Sequence, residues 1–380
     1  MQNLSCARDR HLYGAGPKRI LALDGGGVRG VLTIAFLERL EMLLAEAAGA
    51  PVRLCDWFDL IGGTSTGAII ATLLALGLSA HELKAVYDRL APHVFKRSRW
   101  RVPGWSAKFN SSALQKELDE VLGDKRLKSD DLQTGLGIVL KRLDTGGAWV
   151  VINNPKSKFW NTPEDKSFIG NGELRLAKLV RASTAAPHYF DPELIEIAEG
   201  EMPGLFLDGG LTPHNNPALV LFLAAALPPV GINWKLNPDQ LSIVSVGTGS
   251  FRPTLSIAEA KKSHAIGLAV KALSAQIAEN QRLTLTLMSW LGHTSMIWPI
   301  DSEIGDVGAI APPFGALFRF NRLDVLLEHK WLKETLDIPV SAAELQWLRQ
   351  MDNPASMPLL YDIGRQAAAL QLKAEHVKIW

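Results

Sequence analysis

Cysteine is scarce in this chain of 380 residues: Cys6 and Cys55 are the only two. They cannot form a disulfide framework, which fits a reducing compartment. Neither sign of charge is in excess, since 40 Lys and Arg stand against 39 Asp and Glu for a formal net charge of +1. No global field therefore draws in duplex nucleic acid, and any electrostatic recognition has to be local. Long hydrophobic runs are missing as well. The longest, Ala68 to Leu78 and Ala218 to Leu227, fall short of the ~18–20 residues that cross a bilayer. Met1 to Gly16 is polar, with no apolar core of the kind a secretory leader carries. No internal repeat or low-complexity tract is found. What is present is 47% hydrophobic and 21% charged residues, enough for a large core in a globular protein expected in the cytoplasm, meeting a membrane only from its inner face.

Ile61 to Gly67 reads Ile-Gly-Gly-Thr-Ser-Thr-Gly, with apolar residues on both sides. Gly-x-Ser-x-Gly between two apolar stretches predicts a strand turning sharply into a helix, with Ser65 exposed at the helix N-terminus. Glycine is expected at 63 and 67 for two reasons, backbone angles closed to side chains and close approach of neighbouring elements. A small-residue turn that is purely structural has the same pattern. Upstream, Lys18 to Asp24 reads as a strand covered on both faces, followed by Gly25-Gly26-Gly27-Val28-Arg29-Gly30 and a segment with Ile34, Leu37, Leu40 and Leu44 at helical spacing. These glycines match the dinucleotide fingerprint of an oxidoreductase, whose second strand would end in an acid for the ribose; here the next strand runs into Gly63-Thr64-Ser65. They also suit an oxyanion hole, a nest of backbone N–H groups at Gly25, Gly26 and Gly27 with Arg29 nearby. The plainer readings are a strand-end cap for Asp24 and a surface ion pair for Arg29.

Phe95 to Trp105 interleaves basic residues with tryptophans, and Trp100, Arg101 and Trp105 suit a membrane interface, a plain lid, or single-stranded nucleic acid. Leu136 to Leu143 and Ala148 to Ile152 predict a hairpin across Asp144 to Gly147. Ala182 to Pro187 is dense in small residues, a sign of two elements in close approach, and His188 beside Tyr189 and Phe190 reads as a packed core histidine. Leu205-Phe206-Leu207-Asp208-Gly209-Gly210 repeats the strand, aspartate, glycine arrangement of Asp24 and predicts a carboxylate at the carboxyl edge of a parallel sheet, or a turn cap. Leu241 to Val246 reads as another central strand. The alternation predicts an α/β fold with a doubly wound, mostly parallel central sheet over residues 17–250, and a mainly helical C-terminal region over 251–380 packing on it. Within the latter only Leu317 to Phe320 hints at a strand.

With Asp24 to Gly30, Gly63 to Gly67 and Asp208 to Gly210 in that order, residues 17 to 250 resemble the patatin-like phospholipase family. The resemblance implies a lipid acyl hydrolase that cleaves glycerophospholipid esters through an acyl-enzyme, with Ser65 as nucleophile and Asp208 as base in a dyad lacking the usual histidine. It implies no metal and no cofactor. A free aspartate, with a pKa near ~3.9, is too weak a base, so the site is expected to raise that value or hold the pair in close contact. A triad with His214 or His293 as base is the variant reading. Some bacterial members of the family are switched on by cyclic nucleotides in antiphage defence, and an effector of that kind is the alternative reading, with which the length and the helical tail are compatible.

Overall fold

A run such as Ile20–Leu23 has no polar face to offer water, so it is stable as a strand only where both sides of its sheet are covered. The computed structural model, which describes residues 6–94, 108–255, 257, 261, 265–301, 303–308 and 310–379, puts it in such a place. β1 (Lys18–Leu23) lies inside a nine-stranded sheet, between parallel neighbours β2 (Leu60–Thr64) and β7 (Leu241–Val246). Alternate side chains of β1 feed two cores. Leu21 and Leu23 pack with Ile61, Val244 and Val246 under α2 (Gly30–Ala48), α4 (Thr66–Ala75) and α12 (Met357–Gln371). Ile20 and Ala22 pack with Leu60, Ile243 and Phe320 under α8 (Ala218–Ala226) and the far end of α9 (Ala265–Leu291). Helices on both faces of a mostly parallel sheet make the fold doubly wound, as the alternation of elements predicts.

The remaining elements fill in around this frame. α1 (Ala7–Tyr13) precedes β1, and α3 (Leu54–Trp57) leads into β2. α5 (Ala80–Val94), α6 (Ser111–Leu122) and α7 (Leu176–Ser183) add to the first core. In the C-terminal region α10 (His329–Leu336), α11 (Ala342–Leu348) and α13 (Ala374–Ile379) accompany α12. The sheet itself runs past residue 250: β9 (Phe318–Leu323) pairs parallel with β7, and β8 (Gly292–His293) with β9. The hint at Leu317 to Phe320 thus marks a buried strand, and residues 251–380 complete the sheet as well as covering it.

The arrangement that positions the site is on β3 (Gly135–Arg142). Gly137, Ile138 and Val139 pair at once with β2 and with β4 (Ala148–Ile152), while Leu140 and Lys141 pair at once with β4 and with β6 (Gly204–Asp208). β2 and β6 therefore occupy the same edge of β3, running toward each other. β2 ends at Thr64 opposite Val139, and β6 ends at Asp208 opposite Leu140. This corrects the expectation of a parallel strand: β6 is antiparallel to β3 and is bordered by the short antiparallel β5 (Glu193–Ile195). Asp208 still arrives at the carboxyl end of β2, from the opposite direction.

Candidate active site

Ser65 lies between β2 and α4 with φ 55° and ψ −123°, a left-handed conformation that costs a side-chain-bearing residue energy. The strain falls on the serine and not on Gly63 or Gly67, neither of which has positive φ. Of the two reasons for glycine there, close approach is the one the backbone demands. A Cβ on Gly63 would stand 2.0 Å from the Gly67 carbonyl oxygen, and one on Gly67 2.2 Å from that of Leu23. The strained turn is held from below. The Ser65 N–H donates to Ser183 Oγ at 2.9 Å, and that hydroxyl donates to the Val139 carbonyl at 2.7 Å. Ser183 is the last residue of α7, within the small-residue stretch of residues 182–187, and the nearby Ala185 carbonyl accepts the Asp208 N–H at 3.0 Å. That stretch thus buttresses both strand ends. Its density of small residues is legible in the sequence, whereas the role of Ser183 within it has no sequence signal.

Ser65 Oγ donates to Asp208 Oδ2 at 2.6 Å. The other carboxylate oxygen accepts the Gly210 N–H at 2.7 Å, and Gly209 allows the turn because a Cβ there would meet the Val139 carbonyl oxygen at 2.2 Å. Burial pushes the Asp208 pKa up to about 6, against the opposing pull of the Ser65 and Gly210 hydrogen bonds and the nearby Arg181 guanidinium. Desolvation wins because the ionised carboxylate has lost most of its water and gained only two donors. No histidine ring joins the pair among the described residues. His214 supplies its backbone carbonyl to Thr64 Oγ1, its buried Nδ1 has no partner among the described residues, and burial lowers its pKa. His293 is exposed on β8, at the far edge of the sheet. His188 is likewise exposed and not a core residue, with φ 73° and its ring edge-on to Tyr189.

The glycine loop after β1 lies against Ser65: a Cβ on Gly25 would come within 3.2 Å of the Ser65 Cβ. Its amides are not equivalent. Gly25 N–H is committed to the Asn215 carbonyl at 3.1 Å, and Val28 N–H to the Met351 carbonyl at 2.8 Å; the N–H groups of Gly26 and Gly27 have no acceptor among the described residues. Gly27 has φ 59°, and a Cβ there would overlap the Met351 carbonyl at 2.0 Å, so the loop is closed from above by the turn after α11. Gly30 opens α2 with no room for a Cβ between Thr66 and Tyr87. Arg29 is buried beside the loop without touching the dyad. Its guanidinium donates to the Gly249 carbonyl at 3.0 Å and sits 5.3 Å from the centre of the Phe251 ring, and burial lowers its pKa to about 10. Asp24 is more than a strand cap. It forms a buried ion triad with Arg322 and Asp324, at 2.6 and 2.7 Å from the guanidinium, and Gln281 of α9 donates to it at 3.1 Å. Arg322 lies 298 residues on and Gln281 257, beyond the reach of any local pattern.

Beside these groups opens a cavity of about 510 Å³, lined by Ile69, Leu90, Val94 and Leu114 and by Ile277 and Leu285 of α9. Trp298 also lines it, buried. β2 ends in Thr64 and is followed by Ser65, without the acid that a dinucleotide fold uses for the ribose. Trp100, Arg101 and Trp105 lie outside the described residues. No helix among the described residues is long and apolar enough to cross a membrane.

The model of the patatin-like phospholipase family matches residues 21–222. A cGAMP-activated phospholipase of Escherichia coli (strain TW11681) is 32% identical over 236 residues, which cover 60% of this chain and 62% of that protein. A cUMP-AMP-activated phospholipase of Escherichia coli is 34% identical over 258 residues, covering 67% of this chain and 73% of that protein. Among solved structures, human GIVD cytosolic phospholipase A2 aligns with a TM-score of 0.46 at 12% identity, covering 100% of this chain and 62% of that one. The match thus spans somewhat less than two thirds of the length of the first of these relatives.

Proposed function

This chain belongs to the patatin-like phospholipase family, and on that premise we propose that it is a lipid acyl hydrolase with Ser65 as nucleophile and Asp208 as its base. The observation that carries the reading is the 2.6 Å contact between Ser65 Oγ and Asp208 Oδ2 at the floor of an apolar cavity. As Ser65 Oγ attacks the acyl carbonyl, its proton passes to Asp208, whose raised pKa makes it a better acceptor than a free carboxylate. The N–H groups of Gly26 and Gly27, with the positive end of α4, face the oxyanion that develops. Collapse breaks the ester C–O bond, and the proton on Asp208 leaves with the alcohol. Water, deprotonated by the same carboxylate, then attacks the acyl-serine; the bond from the acyl carbon to Ser65 Oγ breaks, the proton on Asp208 returns to Ser65 Oγ, and the fatty acid is released. Arg29 braces the glycine loop through Gly249, a positioning role and not a contact with the oxyanion.

The substrates are fatty-acyl esters of glycerophospholipids, met at the cytoplasmic face of a membrane. Ser65→Ala is expected to abolish fatty-acid release from phospholipid vesicles, read by mass spectrometry, and to abolish labelling by a fluorophosphonate; turnover retained in that variant would refute the assignment. The names of the cGAMP- and cUMP-AMP-activated relatives favour a second layer, in which a cyclic dinucleotide raises the hydrolysis rate. Each of the two ligands added to the purified chain with vesicles tests it, and an unchanged rate with both counts against activation by these two.

A further inference from the structure

α9 is 27 residues long, and its two halves are packed differently. Toward its end Leu285 and Met288 are buried against the sheet. At its start every residue from Gly267 to Ser274 is exposed. Leu268, Val270 and Leu273 are 44%, 42% and 40% exposed, and Gly267 to Ala278 contains one charged side chain, Lys271, and no acid. A helix in contact with water ordinarily turns a polar face to it. Here apolar side chains are bare on several sides, which in a soluble fold marks a surface that something covers.

What covers it follows from where the helix leads. Val270, Leu273 and Ile277 recur at helical spacing along the stripe that continues to Leu285, and all four line the cavity above Ser65. The cavity wall therefore extends without a break onto turns that project from the protein. The opposite rim has the same character: Trp298 to Ile300 line the cavity, and the adjacent Ile297 is 73% exposed. A protein partner seated on these turns would close the mouth; a lipid surface would cover them and at the same time deliver acyl chains into it.

Resting on the acyl-hydrolase reading, we propose that the first turns of α9, together with Ile297, are the surface on which this protein seats itself on a lipid bilayer. Leu268, Val270 and Leu273 enter the boundary between headgroups and acyl chains. Lys271 stays at headgroup level, where anionic lipid attracts it. This places the docking surface in the C-terminal region.

The test uses the Ser65→Ala chain of 380 residues, so that lipid is not consumed, sedimented with vesicles of phosphatidylcholine and phosphatidylglycerol at four to one. The chain is expected to co-sediment. Leu268→Glu combined with Ala272→Glu, on the side of the helix turned from the cavity, is expected to weaken partitioning at least tenfold without lowering the melting temperature. The single change Leu268→Ser is expected to weaken it less, in the same direction. A parent chain that stays in solution, or variants that sediment as it does, would overturn the proposal. So would a parent that dimerises without lipid through this face and ignores the vesicles, which would assign it to a second copy. Vesicle binding by a chain that hydrolyses no ester would sink the hydrolase reading and leave the surface standing, whereas hydrolysis of a dispersed short-chain ester without vesicle binding would do the reverse.

Discussion

Asp208→Asn should make the protein inactive and more stable. The carboxyl is buried with a pKa of about 6, against 3.8 for the same group in an unfolded chain. A carboxyl whose pKa is raised by folding stabilises the native state only while protonated, and that contribution is lost as pH climbs from about 4 through about 6. By pH 7 the ionised group favours unfolding by roughly two units at 1.36 kcal/mol each, or about 3 kcal/mol. At pH 5 the same arithmetic leaves about 1.5 kcal/mol. Asparagine is nearly isosteric and keeps both bonds, its carbonyl accepting from Gly210 N–H and its amide donating to Ser65 Oγ. Urea unfolding of both proteins from pH 5 to 8 should therefore show the variant ahead by a margin that doubles between pH 5 and 7 and then levels off. Asp24, also raised to about 6 by burial, is common to both chains and drops out of the difference. A variant no more stable than the parent, or a margin indifferent to pH, would show that Asp208 is not desolvated and would remove the basis for its strength as a base.

The same ionisation governs rate: kcat/KM on a soluble ester should fall about tenfold per pH unit below about 6 and be flat above 7, whereas a midpoint near ~4 would mean an ordinary solvated carboxylate. Ser183→Ala leaves the Ser65 N–H and the Val139 carbonyl without their shared partner. It should cost about 1–3 kcal/mol of stability and lower kcat without moving the pH midpoint; a shifted midpoint would mean that Ser183 acts on Asp208 and not on the turn. Arg322→Met strands two buried carboxylates, Asp24 and Asp324, and a loss of roughly 3–5 kcal/mol is expected in thermal unfolding. A variant as stable as the parent would mean that the triad contributes nothing net.

What could be read from the sequence was whatever local chemistry dictates. β1 is legible because four consecutive apolar residues allow only a strand covered on both faces. The Ser65 turn is legible because glycines at 62, 63 and 67, set around one serine between two apolar stretches, suit a sharp strand-to-helix turn and little else. The direction of β6 was not, since Leu205 to Asp208 looks the same whichever way the strand beside it runs. The reason for Gly63 and Gly67 was half legible: crowding by α4 and β1 belongs to the assembled fold, and the positive φ moved to the serine. The loss of Gly25 as an oxyanion donor follows from Asn215, 190 residues away, whose backbone claims that amide. The Asp24, Arg322 and Asp324 triad was invisible for the same reason of distance. The burial of β9 was only hinted at, because Arg319, Asn321 and Arg322 interrupt the apolar pattern to serve pairings elsewhere.

Two strands abutting tip to tip along a third make that third strand a ruler. A slip of one residue by β2 or β6 along β3 would open or close the gap between hydroxyl and carboxylate by about 3.3 Å and turn one of them to the other face. Because β3 does the measuring, the length of chain between the two tips is free of that duty. Segments inserted far from the junction, for instance in the exposed loop of residues 164–167, can lengthen or shorten as the protein diversifies while the reacting atoms stay in register.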